Sequence, residues 1–237
     1  DRAMKKMFLT LLTLCLSGVM QAQTTTSDGP QREWLTSFTA VEIAAPIDVR
    51  FIRVPDDQAP KIIYDMKGAY TTRFRFEVRD RVLTITERPD ARRTERTEVA
   101  VYYNSLERIA IADARATFDS TLVATTLDLT VGGLARVEAD LDVKDLKLEL
   151  TGKSHTSLSG EARYVSLYLS SGTLEAGQLE VMSAEANVIG SGSASLWVTD
   201  RFEGSTSTGG KIAYRGNPTV IRGGEKFMGG DITRIGE

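Results

Sequence analysis

The chain has 237 residues, of which 29 are Lys or Arg, 32 are Asp or Glu, one is His and one is Cys. A formal net charge of −3 excludes the basic field that nucleic-acid binding requires, and 41% hydrophobic residues exclude a disordered polymer. A single Cys cannot form an internal disulfide, and one Cys with one His leaves little room for a metal site built on those ligands. No cofactor or metal is therefore expected.

The N-terminal segment has the layout of a secretory signal peptide. Two lysines follow Met4, a short apolar run covers residues 7–16, and Ala22 offers a small side chain for cleavage. We therefore predict that residues 1–22 comprise a signal peptide with a few upstream residues, and that Cys15 is removed with it. No later run approaches the ~20 apolar residues of a transmembrane helix. We expect an exported protein without a membrane span, located in the periplasm, on the outer-membrane surface or outside the cell.

Strand patterns dominate the chain after a polar stretch, residues 23–36, that is predicted to be a flexible leader. Apolar and polar residues then alternate in short runs, which is typical of half-buried strands, and no stretch shows a sustained helical period with caps. The charged segment 87–98, with four Arg and four Asp or Glu, interrupts these runs. We interpret it as a solvated hairpin loop. An anion-binding loop is the alternative, weakened because the carboxylates neutralise the arginines.

A repeat of about 19 residues fills the second half of the chain. Steps of 19, 19, 19 and 18 residues separate the equivalent positions Leu127, Leu146, Val165, Ala184 and Phe202. A fixed period near twenty is typical of a solenoid, whose stacked units bury one continuous apolar column. A meandering antiparallel sandwich would explain the strands but not the constant step.

The fold class predicted from this repeat is all-β: a single-stranded parallel β-helix with coils of about 19 residues. We expect a single domain over residues 37–233. Residues 37–104 are predicted to form less regular strands or a cap, and residues 105–233 to form the regular coils.

Small residues recur where one unit passes into the next. Each coil must turn a corner there, and Gly tolerates the positive φ that a tight corner requires. No Gly pair precedes the Lys-Ser/Thr of a phosphate-binding loop. The predicted structural turn positions are Gly133, Gly152, Ser171, Gly190, Gly209, Gly210, Gly216 and Pro218.

Three segments carry a resemblance to a known family: the opening strand pair Phe38–Val49, the hairpin Phe76–Ile85 and the closing stretch Thr208–Pro218. Over nearly the whole of residues 37–233 the chain resembles the bacterial family "putative auto-transporter adhesin, head GIN domain". The resemblance implies a secreted or surface β-helical protein of Bacteroidetes type, and it supplies no catalytic residues. Asp113 departs from the pattern, since it stands at a corner where Gly is usual.

Two aromatic residues, Trp197 and Tyr168, are predicted to point outward because each lies between two inward-pointing apolar residues. Exposed aromatic rings can stack on sugars or anchor a protein partner. Their offsets within the repeat differ, so we expect them on different faces. The alternative is that an N-terminal strand or a subunit partner covers each ring.

A carbohydrate-active enzyme on this fold would place two carboxyl groups on neighbouring coils of one face. Neither outward column that we compared concentrates them; the columns are Asp128, Lys147, Ser166, Glu185 and Glu203, and Asp140, Ser159, Gln178 and Trp197. The lone His155 falls in a repeat turn without a nucleophile or metal partner in the sequence pattern. We therefore expect a non-enzymatic surface or periplasmic interaction module, adhesin-like, that binds a glycan or an envelope protein along its outer faces. The alternatives are a carbohydrate-active enzyme and a structural envelope protein.

Overall fold

The computed structural model describes residues 29–68, 70 and 73–236, without the side chains of residues 225–227. The predicted signal peptide, residues 1–22, lies outside the described residues, as does the first part of the predicted flexible leader. The second part of that leader differs from the prediction, because Gln31–Trp34 form a strand that pairs antiparallel with a later strand.

All regular secondary structure in the described part of the chain is β-strand, and the strands join into one continuous sheet. The N-terminal strands are short: β1 (Gln31–Trp34), β2 (Ala40–Ala44), β3 (Asp48–Arg53), β4 (Lys61–Asp65), β5 (Phe74–Arg79), β6 (Val82–Glu87), β7 (Glu98–Tyr103), β8 (Arg108–Ala112) and β9 (Arg115–Phe118). Longer strands follow: β10 (Leu122–Gly132), β11 (Arg136–Leu150), β12 (His155–Leu169), β13 (Thr173–Ile189) and β14 (Ser193–Ser207). The chain closes with β15 (Lys211–Arg215), β16 (Val220–Phe227) and β17 (Asp231–Arg234).

Parallel pairing of successive long strands builds the coils. The register joins Leu127 to Leu146, Leu146 to Val165, Val165 to Ala184, and Ala184 to Phe202. The positions that the repeat equated are therefore direct neighbours on stacked strands, about 4.8 Å apart. The predicted parallel β-helix, a solenoid of about seven turns with 19-residue spacing, is confirmed.

The interior is a column of apolar side chains because every second residue of each coil points inward. One such column runs through Leu129, Leu148, Leu167 and Ala186, which are paired in register and buried. Burial of this kind stabilises a coil only when a neighbouring coil covers it. Ile221 shows the converse: it pairs with the buried Phe202 on the last coil, yet it is 57% exposed.

The N-terminal region is irregular, as predicted, and its coils do not stack in sequence order. β2 lies between β6 and β8, and β3 lies between β7 and β9, all in parallel. The antiparallel strands β5 and β4 add to β6 and β7, and β1 adds to β4. These antiparallel additions cover the end of the column, where an open coil would expose unpaired backbone groups.

Most corners between coils hold a glycine with positive φ. Positive φ occurs at five of the predicted turn positions: Gly133, Gly152, Gly190, Gly209 and Gly216. At the corner that holds Ser171, the neighbouring Gly172 takes the positive φ instead, at 87°. Gly210 and Pro218 lie in the same connections without it. At the corner before β9, the positive φ belongs to Asp113, at 64°.

Candidate functional site

Three carboxylates stack on consecutive coils of one outer surface. Asp142 on β11 pairs with Glu161 on β12, which pairs with Glu180 on β13, and all three residues are exposed. Coil stacking places successive backbones about 4.8 Å apart. We call Asp142, Glu161 and Glu180 the carboxylate column. Acceptor groups at coil spacing along a straight surface can meet an extended ligand once per coil.

A shallow groove of about 760 Å³ runs along this column. Two cations, Lys144 and Arg163, line it two residues beyond Asp142 and Glu161, and the exposed apolar side chains of Val123 and Met182 lie in its wall. The groove thus combines hydrogen-bond acceptors, donors and small apolar patches. This mixture suits a polar ligand with both hydroxyl groups and aliphatic carbons.

Trp197 continues the carboxylate column on the next coil, because it pairs with Glu180. The predicted column that placed Trp197 beside Gln178 is therefore wrong at this step. Ala176 pairs with Leu196 and Glu180 pairs with Trp197, so residues 177–179 form a bulge that has no counterpart on β14. Such a bulge changes which side chains face each other without changing the fold.

The Trp197 ring is half-buried under an arginine. Arg215, its register partner on β15, places its guanidinium carbon 4.2 Å from the ring centre. The same guanidinium donates a hydrogen bond of 2.8 Å from Nε to the Gly177 carbonyl oxygen in the bulge. Trp197 is thus a fixed end wall of the column, with one part of its ring covered by Arg215.

Tyr168 lies on a different surface from Trp197. It pairs with Glu149 and Asn187 on the adjacent coils, and it is 42% exposed. The structure therefore does not bring the two predicted aromatic contacts together into one site. The residues that line the groove include neither ring, but Trp197 lies next to Glu180, the last carboxylate of the column.

The charged loop after β6 is anchored by its arginines. Arg93 is almost fully buried, where it pairs with the Glu87 carboxylate and donates a hydrogen bond of 2.8 Å to Thr97 Oγ1. Arg92 donates hydrogen bonds to Asp90 through its side chain and its backbone N–H, and these bonds lower the pKa of that carboxyl below its usual range. The loop is therefore tied to the body of the protein rather than freely solvated.

Sequence reasoning missed the carboxylate column because only two outward columns were compared. The signal was present, since steps of 19 residues lead from Asp142 to Glu161 and to Glu180. Within the described ranges, no group of three or more His, Cys, Asp or Glu is placed to hold a metal ion. The described residues also contain no helix that could span a membrane.

Parallel coils, a continuous apolar column and outward polar columns define a β-solenoid protein. The chain belongs to the family described as "putative auto-transporter adhesin, head GIN domain", whose model matches residues 37–218. No curated protein matches the chain.

Solved structures share the fold. A putative adhesin from Bacteroides fragilis is 19% identical with a TM-score of 0.78, covering 87% of this chain and 96% of that one. A putative adhesin from Parabacteroides merdae is 17% identical with a TM-score of 0.68, covering 87% and 95%. A structure from Parabacteroides distasonis named as a putative lipid binding protein is 15% identical with a TM-score of 0.67, covering 87% and 96%. At these identities the likeness establishes the architecture.

Proposed function

We propose that this protein is an exported, non-enzymatic, adhesin-like module that binds neutral glycans along the carboxylate column. The family and the similar structures from Bacteroidetes carry adhesin names, which supports an adhesin-like role. The observation that carries the choice of ligand is the stack of three carboxylates, Asp142, Glu161 and Glu180, along one groove. The export part rests on the signal-peptide pattern in residues 1–22.

Carboxylates suit sugar hydroxyls because each accepts hydrogen bonds at two oxygens, and charged acceptors form the stronger bonds. Lys144 and Arg163 add donors on the same groove. Val123 and Met182 give apolar contact for the C–H faces of a sugar ring. One similar structure is named as a putative lipid binding protein, but the charges in this groove favour a ligand rich in hydroxyls over an acyl chain.

Carboxylates on neighbouring coils are also what a carbohydrate-active enzyme would need, but the exposure of these three supports binding without turnover. A glycosidase needs two carboxyl groups in different roles, and burial commonly keeps its general acid protonated. Asp142, Glu161 and Glu180 are all exposed on an open surface. This exposure supports a role as hydrogen-bond acceptors for the ligand.

Tryptophan fluorescence gives a direct test. The chain has two Trp residues, and a Trp34→Phe protein leaves Trp197 as the single reporter at the end of the column. Titration with dextran, xylan, mannan and arabinan should give a saturable change in Trp197 emission for at least one of them.

The matched control places the same charge change on another surface. Glu161→Gln should weaken that binding about tenfold, whereas Glu149→Gln, exposed beside Tyr168, should bind as the parent does. Equal binding by both variants, or no response to any of the four glycans, contradicts the proposal. Release of reducing ends during the titration would support the carbohydrate-active enzyme instead.

A further inference from the structure

A second concavity, of about 580 Å³, lies where the charged loop after β6 meets the corners of the coils. Its lining contains five basic side chains, which we call the basic pocket: Arg96, Arg115, Arg136, Lys153 and His155. The chain as a whole carries a net charge of −3. A concentration of positive groups on one concave surface of an acidic protein points to an anionic ligand.

Coil stacking creates the pocket. Arg115 on β9 pairs with Arg136 on β11, and Arg136 pairs with His155 on β12, so the three side chains leave consecutive coils at the same position. Lys153 comes from the turn just before His155, and Arg96 comes from the loop opposite. The sequence separations of these residues hide the cluster from local patterns.

Arg96 is held in place by the protein. Its Nε donates a hydrogen bond of 2.7 Å to Asp48 Oδ1, and its terminal nitrogen donates to the carbonyl oxygens of Ile47 and Asp113 at 2.9 and 3.1 Å. A guanidinium fixed in this way forms one wall of the pocket.

Three other cationic groups of the basic pocket are free to bind a ligand. The side chains of Arg115, Arg136 and Lys153 make no hydrogen bond or ion pair with any residue that the structure describes. Like charges on neighbouring strands repel one another, so the pairing of Arg115 with Arg136 favours a bound anion; on its other side Arg115 pairs with Asp48, whose carboxylate is bonded to Arg96. His155 Nε2 lies 3.6 Å from a Glu175 carboxylate oxygen, at the far end of the stack.

The acidic groups in the pocket wall are already engaged. Glu87 pairs with the buried Arg93, and Asp113 Oδ1 accepts a hydrogen bond of 2.8 Å from the Leu134 backbone N–H. Neither forms an ion pair with Arg115 or Arg136.

We propose that the basic pocket binds the anionic groups of an acidic glycan, with Arg115 and Arg136 as the principal contacts. Guanidinium groups bind carboxylate, sulfate and phosphate oxygens through paired hydrogen bonds. That the anion belongs to a glycan rests on the proposed function, whereas the anion site itself does not. The pocket is concave, its lining also carries Glu87 and Asp113, and the carboxylates of Asp48 and Glu175 lie beside Arg96 and His155, which disfavours adsorption to a flat anionic membrane.

The test compares polygalacturonate, a glycan with one carboxylate per sugar, with uncharged dextran. The protein is assayed as the full exported chain in three forms: wild type, Arg115→Gln/Arg136→Gln, and Arg75→Gln/Arg79→Gln. The last form removes the same charge from the exposed positions of the β5–β6 hairpin. Polygalacturonate should bind the wild type and the hairpin variant alike, and the pocket variant about a hundredfold more weakly, tenfold for each arginine. Added salt should weaken the wild-type binding.

Separate arms distinguish this site from the carboxylate column. Glu161→Gln should retain polygalacturonate binding, so failure of the neutral-glycan proposal leaves this result intact. Equal losses in the pocket and hairpin variants would show unspecific charge attraction and overturn the site. Arginine-dependent binding to phosphatidylglycerol vesicles, with none to polygalacturonate, would overturn the ligand class.

Discussion

The guanidinium of Arg215 lies 4.2 Å from the centre of the Trp197 ring and reaches past it to the Gly177 carbonyl oxygen, 2.8 Å from Nε. Arg215 therefore links three successive strands, β13, β14 and β15, at the place where the bulge at residues 177–179 breaks the regular register. A side chain with both a flat cationic face and directed donors can make the two contacts at once.

Removing this guanidinium should loosen the bulge and expose the ring. We expect Arg215→Ala to lower the free energy of unfolding by about 1–2 kcal/mol, from the lost stacking and the lost hydrogen bond. In a Trp34→Phe background, the emission of Trp197 should shift to longer wavelength. Denaturant unfolding and fluorescence measure both effects. Arg222→Ala, at an exposed position of β16, is the control and should change neither.

The alternation of inward and outward residues predicts opposite outcomes at two adjacent positions. Leu148 is buried between coils, whereas Lys147 is exposed. Leu148→Asp should destabilise the protein by several kcal/mol, because its carboxylate would lie among apolar side chains without a partner. Lys147→Asp should stay within about 0.5 kcal/mol of the wild type. Thermal unfolding of the two variants checks this, and similar losses in both would contradict the coil register.

The regular coils could be predicted from sequence because their period is constant. Each 19-residue step from Leu127 lands on a register partner, and the same arithmetic would have exposed the carboxylate column. The 19-residue step does not predict the partner of Trp197, because β13 has three extra residues, 177–179, in the bulge. These residues change the pairing without disturbing the apolar alternation on either side.

The N-terminal arrangement could not be obtained in the same way. The position of β2 between β6 and β8 depends on contacts between distant segments, and the local alternation of each strand is compatible with other orders. The burial of Arg93 was also not predictable: a charged loop is expected in solvent, and although Glu87 and Thr97 are only six and four residues away in sequence, their local spacing does not indicate that the fold buries all three. The basic pocket, assembled from β9, β11, β12 and a loop, escapes local patterns for the same reason.

Three glycines, Gly216 at a corner, Gly224 within β16 and Gly177 within β13, separate the two reasons why a position needs glycine. Gly216 has a φ of 100°, and a Cβ added there would lie 2.1 Å from the Val198 carbonyl oxygen. Gly224 has a φ of 88°, but an added Cβ would meet no atom within 4 Å. Gly177 has no positive φ, and an added Cβ would lie no closer than 3.9 Å to any atom. We expect Gly216→Ala to lower the free energy of unfolding most, by several kcal/mol. Gly224→Ala should cost about 1–2 kcal/mol from backbone strain alone, and Gly177→Ala should be nearly neutral.

Urea unfolding of these three alanine variants gives the order directly. A loss at Gly224 as large as that at Gly216 would mean that backbone strain, and not the approach of the neighbouring coil, dominates at Gly216. A large loss at Gly177 would indicate that the bulge beneath Arg215 is strained.

The buried Tyr103 hydroxyl should make the protein sensitive to alkaline pH. Tyr103 is 2% exposed, and its hydroxyl has no hydrogen-bond partner among the residues described. Burial raises the pKa of Tyr103 to about 12 from its ordinary 10, although nearby Arg53 acts in the opposite direction. The folded state therefore holds a proton that the unfolded chain releases above pH ~10.

Below pH ~10 the Tyr103 hydroxyl adds no pH dependence, and as the pH rises from ~10 toward ~12 the free energy of unfolding falls by about 2–3 kcal/mol. Tyr103→Phe should flatten this part of the decline. At neutral pH it should leave the free energy of unfolding equal or slightly higher, because an unpaired buried hydroxyl is removed. Some decline in the free energy of unfolding should remain in Tyr103→Phe, since burial and the Glu33 hydrogen bond also raise the pKa of Tyr64.

Urea unfolding at a series of pH values from 8 to 12 measures the pH dependence of the wild type and of Tyr103→Phe, with the exposed Tyr168→Phe as the control that should follow the wild type. Identical pH dependence in wild type and Tyr103→Phe would mean that the Tyr103 hydroxyl is solvated in the folded protein.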